Sequence, residues 1–169
     1  MKKVLIPVMA LLVLFAAVSV IAAPSTKTPF TTEARFVPGN ISQGEVWITK
    51  DGIRHVKGAI SEAPVTGDIS GTMWLVSAET IDLNTGEGTN HGRFVLTVDG
   101  GTFEGSFQSA FTPLFPGQLR ISGTFVGQGT GTYEGQKIMA SSEGKLILPP
   151  PLPPVVEIVL EGIILSPRE

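Results

Sequence analysis

The chain has 169 residues, 12 basic and 15 acidic residues and no cysteine. Its length suits one domain with a sizeable core. The lack of cysteine excludes disulfide staples, thiol chemistry and cysteine-ligated metal, and an acidic balance with no basic cluster excludes nucleic acid as a partner.

Met1-Lys2-Lys3 is a short basic start, and Val4 to Ala23 is uncharged and apolar, closing on Ala22-Ala23. This is the layout of a secretory signal peptide. At about 20 residues the run is also long enough to stay as an N-terminal anchor. Segment 1–23 therefore predicts a hydrophobic signal helix and export to the cell envelope or the extracellular space. Membrane contact is expected only through this segment, if it is uncleaved. Without Lys2 and Lys3, ten basic residues face fifteen acidic ones, which gives no attraction to an anionic membrane surface.

Residues 24–148 read as an all-β domain. No window carries sustained helical spacing, while Gly, Thr, Val, Ile and Phe dominate and turn residues recur at short intervals. Candidate strands fall at 31–37, 45–49, 53–60 and 70–77. Asp51-Gly52 between the second and third suits a tight hairpin turn. Cleaner alternation follows. Phe94, Leu96 and Val98 oppose Arg93 and Thr97. Beyond Asp99-Gly100-Gly101, Phe103, Phe107 and Phe111 share a face with Gly105 and Ser109, against Thr102, Glu104, Ser106 and Gln108. Leu119, Ile121 and Phe125 share a face with Gly123, against Arg120, Ser122 and Thr124. A period of two with one apolar face is what a half-buried antiparallel strand requires. Further strands are expected at 136–140 and 145–148. About eight to ten short strands joined by tight turns predict a closed antiparallel β-barrel of about eight strands.

Residues 149–154 continue a proline-rich run from Leu148 and read as a stiff, extended bridge. The tail 155–169 is apolar and β-branched, with a strand expected at 155–160. It reads as a closing strand of the barrel, or, from Val155 to Leu165, as an exposed strand that self-associates or pairs with a partner.

Two glycine-bracketed elements stand out, Gly100-Gly101-Thr102-Phe103-Glu104-Gly105 and Gly129-Thr130-Gly131-Thr132-Tyr133-Glu134-Gly135. Their glycines (Gly101, Gly105, Gly129, Gly131 and Gly135) read as corner and crossing devices of a twisted sheet. The second element, with Gly92-Arg93-Phe94 and the first, resembles the allene oxide cyclase barrel and dirigent-like group, over roughly residues 67–148. The resemblance implies an eight-stranded barrel, lipocalin-like in shape, with a central cavity. Plant members of that group cyclise a fatty-acid epoxide or steer radical coupling of phenols. Only Gly129, Gly131 and Gly135 match its motif, so no functional residue is carried over. The proline bridge and apolar tail depart from its pattern.

Candidate chemistry is sparse. Glu104 and Glu134 occupy equivalent places in the two glycine-rich elements and form a candidate acid–base pair, with Glu104 on the face opposite the phenylalanines. His55 is the third candidate. His91 sits in a loop-like stretch, and the two histidines lack metal-site spacing, so neither metal nor cofactor is expected. Trp47, Trp74 and Tyr133 read as core residues or as cavity lining. Asn40-Ile41-Ser42 is a glycosylation acceptor pattern. The expected function is an exported, non-catalytic barrel that binds a small apolar ligand. The alternatives are a cyclase or isomerase of the resembled group, and an assembly protein acting through its last strand.

Overall fold

The computed structural model describes residues 25–147 and 155–167. The expected signal helix at 1–23 and the proline bridge at 149–154 lie outside them. Ten strands follow in chain order: β1 (Thr26–Phe36), β2 (Ile41–Ser42), β3 (Glu45–Ile48), β4 (Ile53–Gly67), β5 (Gly71–Asp82), β6 (Gly88–Val98), β7 (Gly101–Phe115), β8 (Gln118–Gly129), β9 (Lys137–Ile147) and β10 (Val155–Ser166). Strands β4 to β10 run as an antiparallel meander, β10 pairs with β1, and β1 closes on β4. The result is the expected closed eight-stranded barrel. β10 is hydrogen-bonded to β9 on one side and β1 on the other.

The barrel is strongly staggered. Registered pairs lead from Arg54 through Ile81, Gly88, Phe111, Ile121, Gly144, Ile158 and Ala34 back to β4 at Val65. Such stagger tilts the strands and widens the interior. The β1–β4 seam is short, joining only Thr32–Ala34 to Val65–Gly67. Beyond Phe36 the chain makes a 3-10 turn at Pro38–Asn40 and then pairs with β4 again as β2 and β3. Gly58, at φ +72, bulges β4, so Arg54 and Val56 face inward before it and Ala59, Ser61, Ala63 and Val65 after it.

One end of the barrel is packed solid. Phe94 meets Phe125 edge-on with ring centroids 5.3 Å apart, and Phe107 stacks on Phe125 at 5.1 Å. Phe103, fully buried, lies against Tyr133 at 4.9 Å. The two glycine-rich elements meet at this end. Thr130 N–H donates to Thr102 O at 2.8 Å, and Thr132 N–H donates to Gly100 O at 3.0 Å. Gly131 has φ +63, and a Cβ there would lie 2.4 Å from Gly100 O. A Cβ on Gly105 would lie 2.0 Å from Val126 O, where β7 pairs with β8. Glycine is the residue that permits both approaches.

Several expected boundaries shift. The strands expected at 136–140 and 145–148 form the single strand β9, because Ser142 and Gly144 also face inward and merely interrupt the apolar run. The strand expected at 70–77 runs on to Asp82, and 155–160 runs on to Ser166. His91 lies within β6 rather than in a loop. Trp47 and Trp74 are neither core nor cavity lining. Each sits on the outer surface, 43% and 39% exposed.

Candidate binding cavity

The end opposite the aromatic plug is hollow. A cavity of about 400 Å³ lies inside it, and every barrel strand contributes to its wall. The wall has two unlike halves. Phe36, Phe111, Ile121, Leu146 and Val156, from β1 and β7 to β10, form a wholly apolar side. The polar lining residues, Gln43, Arg54, Ser61, Ser77, Glu79 and Asn90, come from β4 to β6 and the turn before β3, interleaved with Val56, Leu75 and Ile81.

The register explains how the polar groups meet. Val56 lies opposite Glu79, so Arg54, two residues earlier on the same inward face, sits diagonal to the carboxylate. Its Nη1–H donates to Glu79 Oε1. The two side chains are 26% and 17% exposed, so the pair is largely withdrawn from water. Burial pushes the Glu79 carboxyl above its ordinary pKa, against the opposing pull of the Arg54 charge and hydrogen bond. A charge withdrawn this far needs its partner, since an unpaired one pays the desolvation penalty in full.

Asn90 lies directly opposite Glu79 on β6. Its Oδ1 is buried and has no hydrogen-bond partner among the described residues. The same holds for Ser142 Oγ, and registered pairs link the two residues through Ser109 and Gly123. An unmet buried acceptor costs about 1–3 kcal/mol. At the packed end, by contrast, the buried Thr32 hydroxyl lies 2.8 Å from Thr66 O and 2.6 Å from Ile69 O, so it is satisfied within the protein.

The candidates from sequence lie elsewhere. Glu104 is exposed on the outer face of β7 and accepts a hydrogen bond from Thr102 Oγ1 at 3.2 Å. Glu134 is exposed beside the 3-10 turn at Gly131–Tyr133. His55 points outward from β4, stacks on Trp47 at 5.0 Å and holds its Nδ1 3.3 Å from Thr80 Oγ1. None of the three lines the cavity, and His91 is exposed on the outside of β6. Asn40 is exposed at the end of the 3-10 turn, so the acceptor pattern lies at the surface. Among the described residues, no three His, Asp or Glu side chains converge as a metal site would require.

Arg54, Glu79 and Asn90 escape sequence reading because each breaks the apolar alternation of its own strand. The signal was present in that break: polar residues at inward positions of an otherwise apolar face, as Ser77 and Glu79 stand between Leu75 and Ile81. Chemically, the described lining offers an apolar sleeve, a matched ion pair and the unmet Asn90 oxygen, and it includes no imidazole. Comparison with protein-family models, with characterised proteins and with solved structures finds no match to this chain.

Proposed function

We propose that this protein is a non-catalytic binding module that takes a small, mostly apolar molecule into the hollow end of its barrel. The observation that carries the reading is the cavity of about 400 Å³ ringed by all eight barrel strands, with one continuous apolar wall. Its size and lining suit a small organic ligand. The outline is lipocalin-like, with a ligand at one mouth and a packed opposite end. An exported carrier or cell-envelope receptor fits the sequence of segment 1–23. The resemblance to the allene oxide cyclase and dirigent-like group supplies a precedent for the barrel. Its cyclase reading drew on Glu104, Glu134 and His55, all outside the cavity. The assembly reading needs a free strand edge, and β10 has both edges paired within the chain.

The test uses N-phenyl-1-naphthylamine, a neutral apolar dye whose fluorescence rises on leaving water. Saturable one-to-one binding is expected, abolished when Ser77→Leu or Ala59→Leu fills the cavity. No binding, or binding unchanged in both folded variants, overturns the reading.

A further inference from the structure

We propose that the molecule taken up is a neutral amphiphile carrying a hydrogen-bond donor, a hydroxyl or an amide N–H, that docks on Asn90 Oδ1 while its apolar body lies against the β7–β10 wall. This rests on the cavity being a ligand site, and it adds what that ligand must carry.

Three observations converge on it. First, the cavity is amphipathic across its width. Its polar groups are confined to β4, β5, β6 and Gln43, and the facing wall offers only Phe36, Phe111, Ile121, Leu146 and Val156. A wholly apolar molecule would leave the first wall unmet, and a wholly polar one would lose the second.

Second, Asn90 Oδ1 is a buried acceptor with no partner among the described residues. A ligand group that packs against it must bring a hydrogen to it or leave its lone pairs unmet, at a loss of affinity. A hydroxyl or N–H does so. A ketone or ester oxygen, which brings only lone pairs, does not.

Third, the two charges at the site already match each other. Arg54 donates to Glu79, and both are largely buried. An anionic head group would find no uncompensated cation and would face both the Glu79 carboxylate and the Asn90 oxygen. A cationic head group would find its carboxylate already taken. Either would give up its hydration without a free counter-charge, so the site discriminates against ions.

The ligand series is 1-octanol, 2-octanone, octane and octanoate, each displacing N-phenyl-1-naphthylamine from the full chain at neutral pH. Octanol should bind about tenfold tighter than octanone or octane, the discrimination one well-placed hydrogen bond supplies, and octanoate should bind weakest. Asn90→Leu, close in size and apolar, should bring octanol within about twofold of octane, both read against the dye affinity measured for that variant. Octanone or octane equal to octanol, octanoate tighter than octanol, or an octanol preference that survives Asn90→Leu overturns this proposal. If the dye and the whole series fail to bind the folded wild type, the binding reading itself falls. If dye and octane bind but no preference appears, only the donor requirement falls. The wild-type series stands by itself should Asn90→Leu not fold.

Discussion

The two ends of this barrel use the same alternation and fill it differently. At the aromatic end the inward positions carry Phe94, Phe103, Phe107 and Phe125, and Tyr133 lies against Phe103. At the other end, β4 and β5 turn Ala59, Ser61 and Ser77 inward, too small to reach the far wall across a widened interior. The backbone contributes to the difference. Past Phe36 the chain leaves β10, and the Gly58 bulge resets the face of β4, so the seam at the hollow end is made by the short β2 and β3. Under the proposed function, the packed end supplies stability and the hollow end the space for a ligand.

The largest test of that division is truncation at the packed end. Phe103→Ala should cost about 3–5 kcal/mol in urea unfolding, because no solvent reaches the site and the plug lies over it. A cost below 1 kcal/mol, on the order of a surface change, would break the comparison.

A sharper test uses two alanines on the same strand. Ala63, fully buried, should lose about 1–3 kcal/mol on becoming leucine, since nothing there yields. Ala59→Leu, facing the cavity, should change stability by less than about 1 kcal/mol in either direction while abolishing dye binding. Equal costs at the two positions would mean that the ends are filled alike.

The ion pair comes next. Arg54→Met strands a largely buried carboxylate. With some solvent access remaining, the expected loss is about 1–2 kcal/mol, below that for a fully buried pair. Adding Glu79→Leu should restore most of it, which a double-mutant cycle on unfolding free energies would register.

The smallest effects are titrations of opposite sign. Burial raises the Glu79 pKa in the folded state, so the folded protein holds that proton more firmly than the unfolded chain. The penalty is present while Glu79 is ionised and is relieved as pH falls through its raised pKa toward the ordinary value. Wild type should therefore gain stability relative to Glu79→Gln on mild acidification. Glu157 behaves in reverse. On the outer face of β10 it is held below its ordinary pKa by the Lys145 ammonium, 3.0 Å away, and by Arg35 at 3.1 Å. Its contribution is present above the unfolded value and is lost as pH falls through the lowered one, so wild type should lose stability relative to Glu157→Gln in acid. That loss should be slight, because the pair is open to water.

The packed end was the legible one. The spacing of Phe103 and Phe107 and the alternation around Phe94 follow from a period of two, and of the hollow end only its apolar wall (Phe111, Ile121) and the Asp51-Gly52 turn were equally plain. The hollow end was read poorly for one physical reason. Side chains that face a cavity need not be apolar, so Glu79 ended an expected strand early, the polar stretch around Asn90 made His91 look like a loop residue, and Ser142 split β9 in two. The Gly58 bulge was invisible because the phase change it causes is set by backbone pairing rather than by composition. Trp47 and Trp74 misled in the other direction, since aromatic size suggests burial and these two cover the outer face. The candidate site thus lies where the alternation fails.

Methyl-resolved NMR during a 1-octanol titration tests the central claim most directly. Resonances of Val56, Leu75, Ile81, Ile121 and Leu146 around the cavity should shift and saturate together, while those of Val65, Leu96, Ile138 and Leu160 in the packed core stay in place. No shift at saturating octanol, or shifts spread equally over both sets, would contradict a barrel hollow at one end and solid at the other.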